Sequence, residues 1–424
     1  MKAPADLIIT NAGELVTLTG TPPPRRGEAS AELSIIENGS VACHEGVIVW
    51  VGPAHRLTDN VAPEEEALEI DVEGRVVTPG LVDSHTHPIY SGTRQAEFAL
   101  RARGADYEEI AAAGGGILNS VQRTRNASLD ELIETLGRHL YTMLSLGTTT
   151  VEVKSGYGLD LETETRCLKA AAELASRWPQ TIVRTFLGAH EVPAEYRGRG
   201  DEYLQYLIEE VLPIVKEQEL ADFVDIFCEK GVFTPEQSLH YLREASRMGF
   251  GTRIHADEFH DTGGAAVAVE AGAYSADHLL SISDENIGRL AGSGTVATLL
   301  PGTALFLGKP FPPGRKLLDA GAAVAIATDF NPGSCFCESM PFMINLAVCR
   351  CGFTIEEAVT AATINGAAAL GLGDTKGALA PGMDADMIIW DLDDFRGIAY
   401  HMAIPDIADV VVAGRPISTM YEEC

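Results

Sequence analysis

Two rhythms of apolar and polar positions run along this chain. At both ends, short apolar runs are broken by turn residues. Leu7-Ile8-Ile9, Leu33-Ser34-Ile35-Ile36, Val47-Ile48-Val49-Trp50-Val51 and Val76-Val77 read as short strands. A loop at Pro22-Pro23-Pro24 and an acidic turn at Glu64-Glu65-Glu66 separate some of them. Near the C-terminus, the runs from Asp386 to Asp391 and from Asp409 to Gly414 have the same character. Residues 1–79 and 379–424 are expected to pair as one small β-sandwich-like domain built from both chain ends.

The middle, residues 80–378, alternates eight short apolar segments with helical patterns. The segments are Leu81–His87, Thr148–Ser155, Ile182–His190, Phe223–Gly231, Gly251–Glu258, Tyr274–Leu279, Thr295–Gly302 and Ala323–Asn331. Capping boxes are legible at Ser128 with Glu131, at Thr234 with Gln237 and Pro235, and at Thr354 with Glu357. Strands alternating with helices imply a parallel sheet, and eight such units predict an α/β fold, a (β/α)8 TIM barrel. About 60 residues join the first two segments, so extra helices or a lid are expected there.

Composition narrows the class. With 424 residues, 46% hydrophobic and 22% charged, the chain has the ordinary globular mix. The balance of 31 basic against 61 acidic residues leaves −30, which repels phosphate backbones and anionic lipids. Nucleic acid and membrane are therefore not expected partners. No stretch reaches the 18 or so apolar residues of a membrane span, and the first 18 residues lack a signal-peptide layout, so the expected location is cytoplasmic. Eight cysteines include the pairs Cys335/Cys337 and Cys349/Cys351, without zinc-finger spacing, and are expected to be free and mostly buried.

The chemistry lies at the segment ends. In TIM barrels the active site forms at the C-terminal ends of the strands. Here those ends carry His85 and His87, His190, His255 and Glu258, Asp277 and His278, and Asp329 and Asn331. Five of the 11 histidines fall there. His85 and His87, two apart on a strand, share one face. Two imidazoles at the mouth call for a shared metal ion, with His255 as a further ligand from across the barrel and Asp329 from the strand that closes next to the first. Such a His3Asp set suits zinc or ferrous iron.

From Pro79 to His87 the sequence resembles the first-strand signature of the amidohydrolase superfamily. Longer segments are similar to the imidazolonepropionase family, the cyclic amidases of histidine breakdown: Glu97–Arg101, Ala113–Ile117, Val153–Asp160, Leu187–His190, Phe227–Phe233, His255–Phe259 and Asp329–Ser334. The resemblance covers the barrel and, more loosely, both ends. It implies a hydrolase that opens the ring of 4-imidazolone-5-propanoate to N-formimidoyl-L-glutamate with one Zn2+ or Fe2+/Fe3+ per subunit. It implies His85, His87, His255 and Asp329 as metal ligands. It further implies Arg94, Tyr157, His190 and Glu258 around the substrate, and Asn331, Gly333 and Ser334 in a loop touching substrate or product. A homodimer is expected. His260 and the Cys335/Cys337 pair depart from the family pattern without touching a matched position.

The residue chemistry fits that implication. Asp329 can take a proton from the attacking water, His278 is the further histidine expected near that water, and Glu258 can pass a proton to the leaving ring nitrogen. His190 can polarise the carbonyl or bond the ring. Arg94, seven residues after His87, offers a fork for the propanoate. Tyr157, bracketed by glycines, suits a backbone approaching a ligand. Lys154 sits on the second strand, away from the fourth where a bridging carboxylated lysine would stand, so one metal is expected. Gly114-Gly115-Gly116 lacks the rest of a phosphate loop and is expected to act as a hinge near the pocket. Two rivals remain. A ring deaminase would lack the carboxylate-binding Arg94. A relative that has lost its metal and acts as a scaffold would lack part of the His/Asp set.

Overall fold

A computed structural model describes residues 2–104 and 115–420. Gly114 of the expected hinge, Ala113 of the family-like segment Ala113–Ile117, and Cys424 lie outside the described residues. Eight parallel strands hydrogen-bond to one another in chain order. They are Leu81–Asp83, Thr148–Lys154, Thr181–Ala189, Phe223–Cys228, Gly251–Ala256, Ser275–His278, Val296–Leu299 and Val324–Ile326. Each of the eight expected segments contains one of these strands or nearly all of it, but the observed strands stop short. The first ends at Asp83 rather than His87, and the eighth at Ile326 rather than Asn331. At these two strands the chain leaves the regular ladder before its polar ligands, whereas His255 and His278 still lie within paired strands.

The first and eighth strands meet just beyond their ends. Thr86 bridges Phe330, the Asp329 amide donates to the His85 carbonyl at 3.0 Å, and the His87 amide donates to the Phe330 carbonyl at 2.8 Å. These bonds draw His85, His87 and Asp329 together. His85 and His87 thus share a face as expected, although both lie past the formal strand.

Helices cover the barrel. All three capping boxes form, at Ser128, Thr234 and Thr354. The connection between the first two strands holds helices Gln95–Ala102, Ile117–Asn126 and Leu129–Ser145. The last buries Leu132, Leu136, Leu140 and Met143, the spacing of one helical face.

The two chain ends build one mixed sheet. Ala3–Val16 pairs antiparallel with Ile35–His44 and parallel with Val61–Asp71 and Val76–Pro79. Val76–Pro79 then pairs with Met387–Trp390, which pairs with Ile407–Val412. Leu7, Ile9, Leu15, Val41, Ile48, Val77, Met387 and Ile389 form the core of this sheet. Glu64-Glu65-Glu66 lies inside the strand Val61–Asp71 and not in a turn between strands. The register jumps there, from Ala5 opposite Pro63 to Leu7 opposite Leu68, so three like charges stay solvated while the strand resumes. Val76–Pro79 passes through Gly80 straight into the first barrel strand. A β-carbon at Gly80 would lie 2.1 Å from Thr149 Oγ1, which leaves room only for hydrogen.

Among the described residues, no helix is long and apolar enough to cross a membrane. Cys43, Cys167, Cys228, Cys335 and Cys351 are buried free thiols, Cys337 is half-buried and Cys349 is exposed.

Candidate active site

His85, His87, His255, His278 and Asp329 converge at the barrel mouth, all buried. His87 Nε2 lies 3.2 Å from His85 Nε2 and 3.2 Å from His255 Nε2. Asp329 Oδ1 lies 3.6 Å from His85 Nε2 and 3.5 Å from His87 Nε2. These four spacings lie close to the edges of a tetrahedron with bonds of about 2.0–2.2 Å, roughly 3.3–3.6 Å. The ring protons sharpen the fit. Asp277 Oδ2 lies 2.7 Å from His85 Nδ1, and Asp225 Oδ2 lies 3.0 Å from His255 Nδ1. A carboxylate there keeps the proton on Nδ1 and turns the bare Nε2 lone pair into the cluster. Lone pairs so close repel unless a cation lies between them. Burial, and after it Lys154 for His85 and His190 for His87, holds both imidazoles well below their usual range, so they are neutral donors. The residues present therefore fit a divalent ion.

Beneath this cluster lies a group of charges the sequence reading missed. Lys154 Nζ reaches Glu152 at 2.8 Å and Asp225 at 2.7 Å. Arg253 reaches Glu152 at 3.1 Å and Asp277 at 3.3 Å. All five side chains are fully buried. Lys154 is thus held between two carboxylates. The signal was present in the sequence: Glu152 and Lys154 alternate along a strand, and Asp225 and Arg253 interrupt others, where parallel strands ordinarily read as apolar runs. Asp83 is a second omission. It accepts from the Thr328 amide at 3.0 Å and its hydroxyl at 2.6 Å, tying the first strand to the approach to Asp329. Thr303 donates to Asp329 Oδ2.

Asp257, His278, Leu279 and Asp329 all have positive φ, between 50° and 79°. For residues other than glycine this costs on the order of 1–3 kcal/mol each and gathers at functional sites. Asp257 offsets it by accepting from the amides of Thr262, Gly263, Gly264 and Ala265, capping helix Gly264–Ala271.

Around the cluster, His190 stacks on His87 with ring centres 5.1 Å apart, and Tyr157 lies 5.5 Å from His190. His190 Nδ1 lies 3.0 Å from the Gly156 carbonyl, which only accepts, so Nδ1 carries the proton. Burial pushes His190 down to about 3, and its free Nε2 is an acceptor. Of the two expected tasks this favours bonding a ring N–H over polarising a carbonyl, which needs a donor. Glu258 Oε1 lies 3.7 Å from His278 Nδ1, a buried nitrogen with no hydrogen-bond partner among the described residues. Burial, then the nearby Asp329 and Glu229 carboxylates, pushes Glu258 well above the carboxylate range. Asp329 is pushed up by burial to about 6.

Arg94 is placed differently from the simple expectation of a free fork. Its Nε and Nη2 both donate to Glu97 Oε2, at 2.9 and 2.7 Å. Its Nη1 lies where a β-carbon on Gly333 would come within 2.1 Å. Arg101 donates to the Gly333 carbonyl at 2.9 Å, so two guanidinium groups cradle this loop. Asn331 organises the same loop: Oδ1 accepts from the Gly333 and Ser334 amides at 2.8 and 2.7 Å, and Nδ2 donates to the Asp329 carbonyl and Ser334 Oγ.

A closed parallel barrel with a His/Asp centre at the C-terminal ends of its strands defines a class, and comparison with known proteins supplies its name. The amidohydrolase family model matches residues 76–422, and the chain belongs to the amidohydrolase family. An imidazolonepropionase of Bacillus cytotoxicus is 47% identical over 406 residues, 96% of this chain and 95% of that one. Another, of Symbiobacterium thermophilum, is 49% identical over 417 residues, 98% of this chain and 97% of that one. Similarity at this level over nearly the full length places the chain on the imidazolonepropionase branch. Among solved structures, an adenosine deaminase from Xanthomonas campestris with bound zinc superposes with a TM-score of 0.70 at 19% identity, covering 98% of this chain and 93% of that one. A triazine hydrolase variant gives 0.75 at 18%, covering 97% and 94%. These two share the fold.

Proposed function

We propose that this enzyme hydrolyses the cyclic amide of 4-imidazolone-5-propanoate, opening the ring to N-formimidoyl-L-glutamate in histidine degradation. The observation that carries the proposal is the 46–49% identity to imidazolonepropionases over almost the whole chain. We assign one divalent ion, zinc or iron, to His85, His87, His255 and Asp329. When bound there, such an ion polarises a carbonyl oxygen and makes water nucleophilic near neutral pH.

The chain's own residues do the rest. Asp329 accepts the proton released by the attacking water. Glu258, which burial and the neighbouring carboxylates make a better proton holder than a free carboxyl, delivers a proton to the departing ring nitrogen. His278 Nδ1 faces Glu258 Oε1 and completes the path between the carboxyls. His190 Nε2 accepts from a ring N–H, and the Tyr157 hydroxyl and Arg94 Nη1 face the propanoate. Asn331, Gly333 and Ser334 shape the wall against which substrate and product lie. The Arg94 cation separates this reading from a deaminase of neutral rings, and the complete His/Asp set separates it from a metal-free scaffold.

The test is incubation of the metal-loaded protein with freshly made imidazolone propanoate, following the loss of its ultraviolet absorbance. Formation of N-formimidoylglutamate is expected, and an unchanged spectrum overturns the assignment. The proposal extends to a cytoplasmic homodimer, for which light scattering should return twice the chain mass of 45.2 kDa.

A further inference from the structure

Glu164 stands in the first turn of helix Leu161–Ala175 and is fully buried. Its partners are backbone amides of the preceding turn. Oε1 accepts from Gly158 N at 2.7 Å and from Leu159 N at 2.9 Å, and Oε2 accepts from Gly156 N at 3.0 Å. The Ser155 hydroxyl also donates to it, while accepting from Leu187 N at 3.1 Å on the neighbouring strand. The helix does not need Glu164 as a cap, because Asp160 already accepts from Thr163 N at 2.7 Å. The carboxylate is spent on the loop.

That loop carries Tyr157. The peptides on either side of Gly156–Tyr157 are clamped through their N–H groups, so the one between them has its carbonyl direction set. That carbonyl receives His190 Nδ1 at 3.0 Å. The turn is also pressed against the helix: a β-carbon on Gly158 would lie 2.7 Å from Thr163 Cβ and 2.8 Å from Glu164 N. On Gly156 it would lie 3.0 Å from His190 Nδ1. Tyr157 and His190 therefore owe their orientation to one buried carboxylate that touches neither side chain.

We propose that Glu164 is a positioning residue for catalysis, which holds the Ser155–Leu159 turn so that Tyr157 and, through the Gly156 carbonyl, the His190 ring face the substrate in one orientation. This rests on Tyr157 and His190 being substrate contacts. A carboxylate only accepts, which suits three amide donors; an amide in its place puts an NH2 group against one of them.

The test is a double-mutant cycle on the metal-loaded enzyme with imidazolone propanoate, using Glu164→Gln and Tyr157→Phe. Glu164→Gln is expected to lower kcat/KM by roughly 10- to 100-fold, the scale of a displacement of about 1 Å at a reacting geometry. Bound metal should be unchanged. In the Glu164→Gln background, Tyr157→Phe should cost no more than about twofold further, because the hydroxyl is already misplaced. Glu164→Asp keeps the charge but withdraws it by one methylene, and it enters the same cycle should the Gln variant not fold. Losses that multiply, or a Glu164→Gln enzyme within about twofold of wild type, overturn the proposal alone. A wild-type enzyme that does not turn over this substrate overturns the substrate reading on which it rests, before any variant is made.

Discussion

The floor and the rim of the barrel mouth are built by opposite means. On the floor, His85 and His255 are fixed by Asp277 and Asp225, and those carboxylates by Arg253 and Lys154, every member fully buried. Nothing there can reorient without stranding a charge out of water. On the rim, the Arg94 side chain keeps 17% of its surface accessible and that of its partner Glu97 11%, and the loop from Asn331 to Ser334 is organised mainly by bonds within itself. On the proposed function, the floor would set what the site can activate and the rim what it admits. Identical chemistry on the floor is therefore compatible with different substrates across a family.

The comparison can be broken at its centre first. Asp329→Asn keeps the shape but removes the proton acceptor, and turnover should fall by roughly 10²- to 10⁴-fold in protein shown by elemental analysis to retain its metal. Near-normal turnover would mean that the proton leaves by another group. Next, Lys154→Met leaves Glu152 and Asp225 buried without their shared cation. It should destabilise the fold by about 3–5 kcal/mol in denaturant titration, the cost of breaking a buried ion pair by one partner. A loss under about 1 kcal/mol, the scale of an exposed pair, would show that the floor is not rigid in this sense.

The rim should respond more gently and more selectively. Arg94→Met should lower kcat/KM for the propanoate substrate by roughly 10- to 150-fold, the worth of about 1.5–3 kcal/mol in a charged hydrogen bond. An analogue with a neutral side chain should be hardly affected. Equal losses on both would make Arg94 a support for the Gly333 loop. Asp225→Asn keeps the packing around His255 but weakens its orientation. Chelator competition should report about 10- to 100-fold weaker metal binding, whereas Arg94→Met should leave metal affinity alone.

The smallest effect is a change in shape of the pH profile. Burial and neighbouring carboxylates raise Glu258, so it keeps its proton to higher pH than a free carboxyl and loses it as pH rises through that elevated range. A proton donor of that kind gives the activity an alkaline limb. Glu258→Gln should lower turnover and flatten that limb; a limb that persists unchanged assigns it to another acid.

Much of this was legible without coordinates. The spacing of the apolar segments, the three capping boxes and the polar residues at the segment ends were enough to expect a parallel barrel with a metal centre, because period and punctuation are local properties of a chain. The first and eighth segments were overrun by a few residues because apolar and polar positions alternate smoothly there, while the ladder stops at Asp83 and Ile326 and the chain turns before its ligands. The acidic run at Glu64 read as a turn because three like charges rarely sit in a strand, and only the register jump against Ala3–Val16 explains how they do.

His85-Thr86-His87, Asp329 and the flanking motifs by themselves determined the class of chemistry, since few arrangements other than a shared ion reconcile so many neutral donors at one barrel mouth. Tertiary structure alone decided which nitrogen each histidine presents, that Arg94 is shared with Glu97, and that Lys154, Asp225, Arg253 and Asp277 form one buried group. These are relations between strands far apart in the chain. A charge's partner, and hence whether it is a ligand, a support or a solvated surface group, is fixed by distance and dielectric in the folded state and not by its neighbours in sequence.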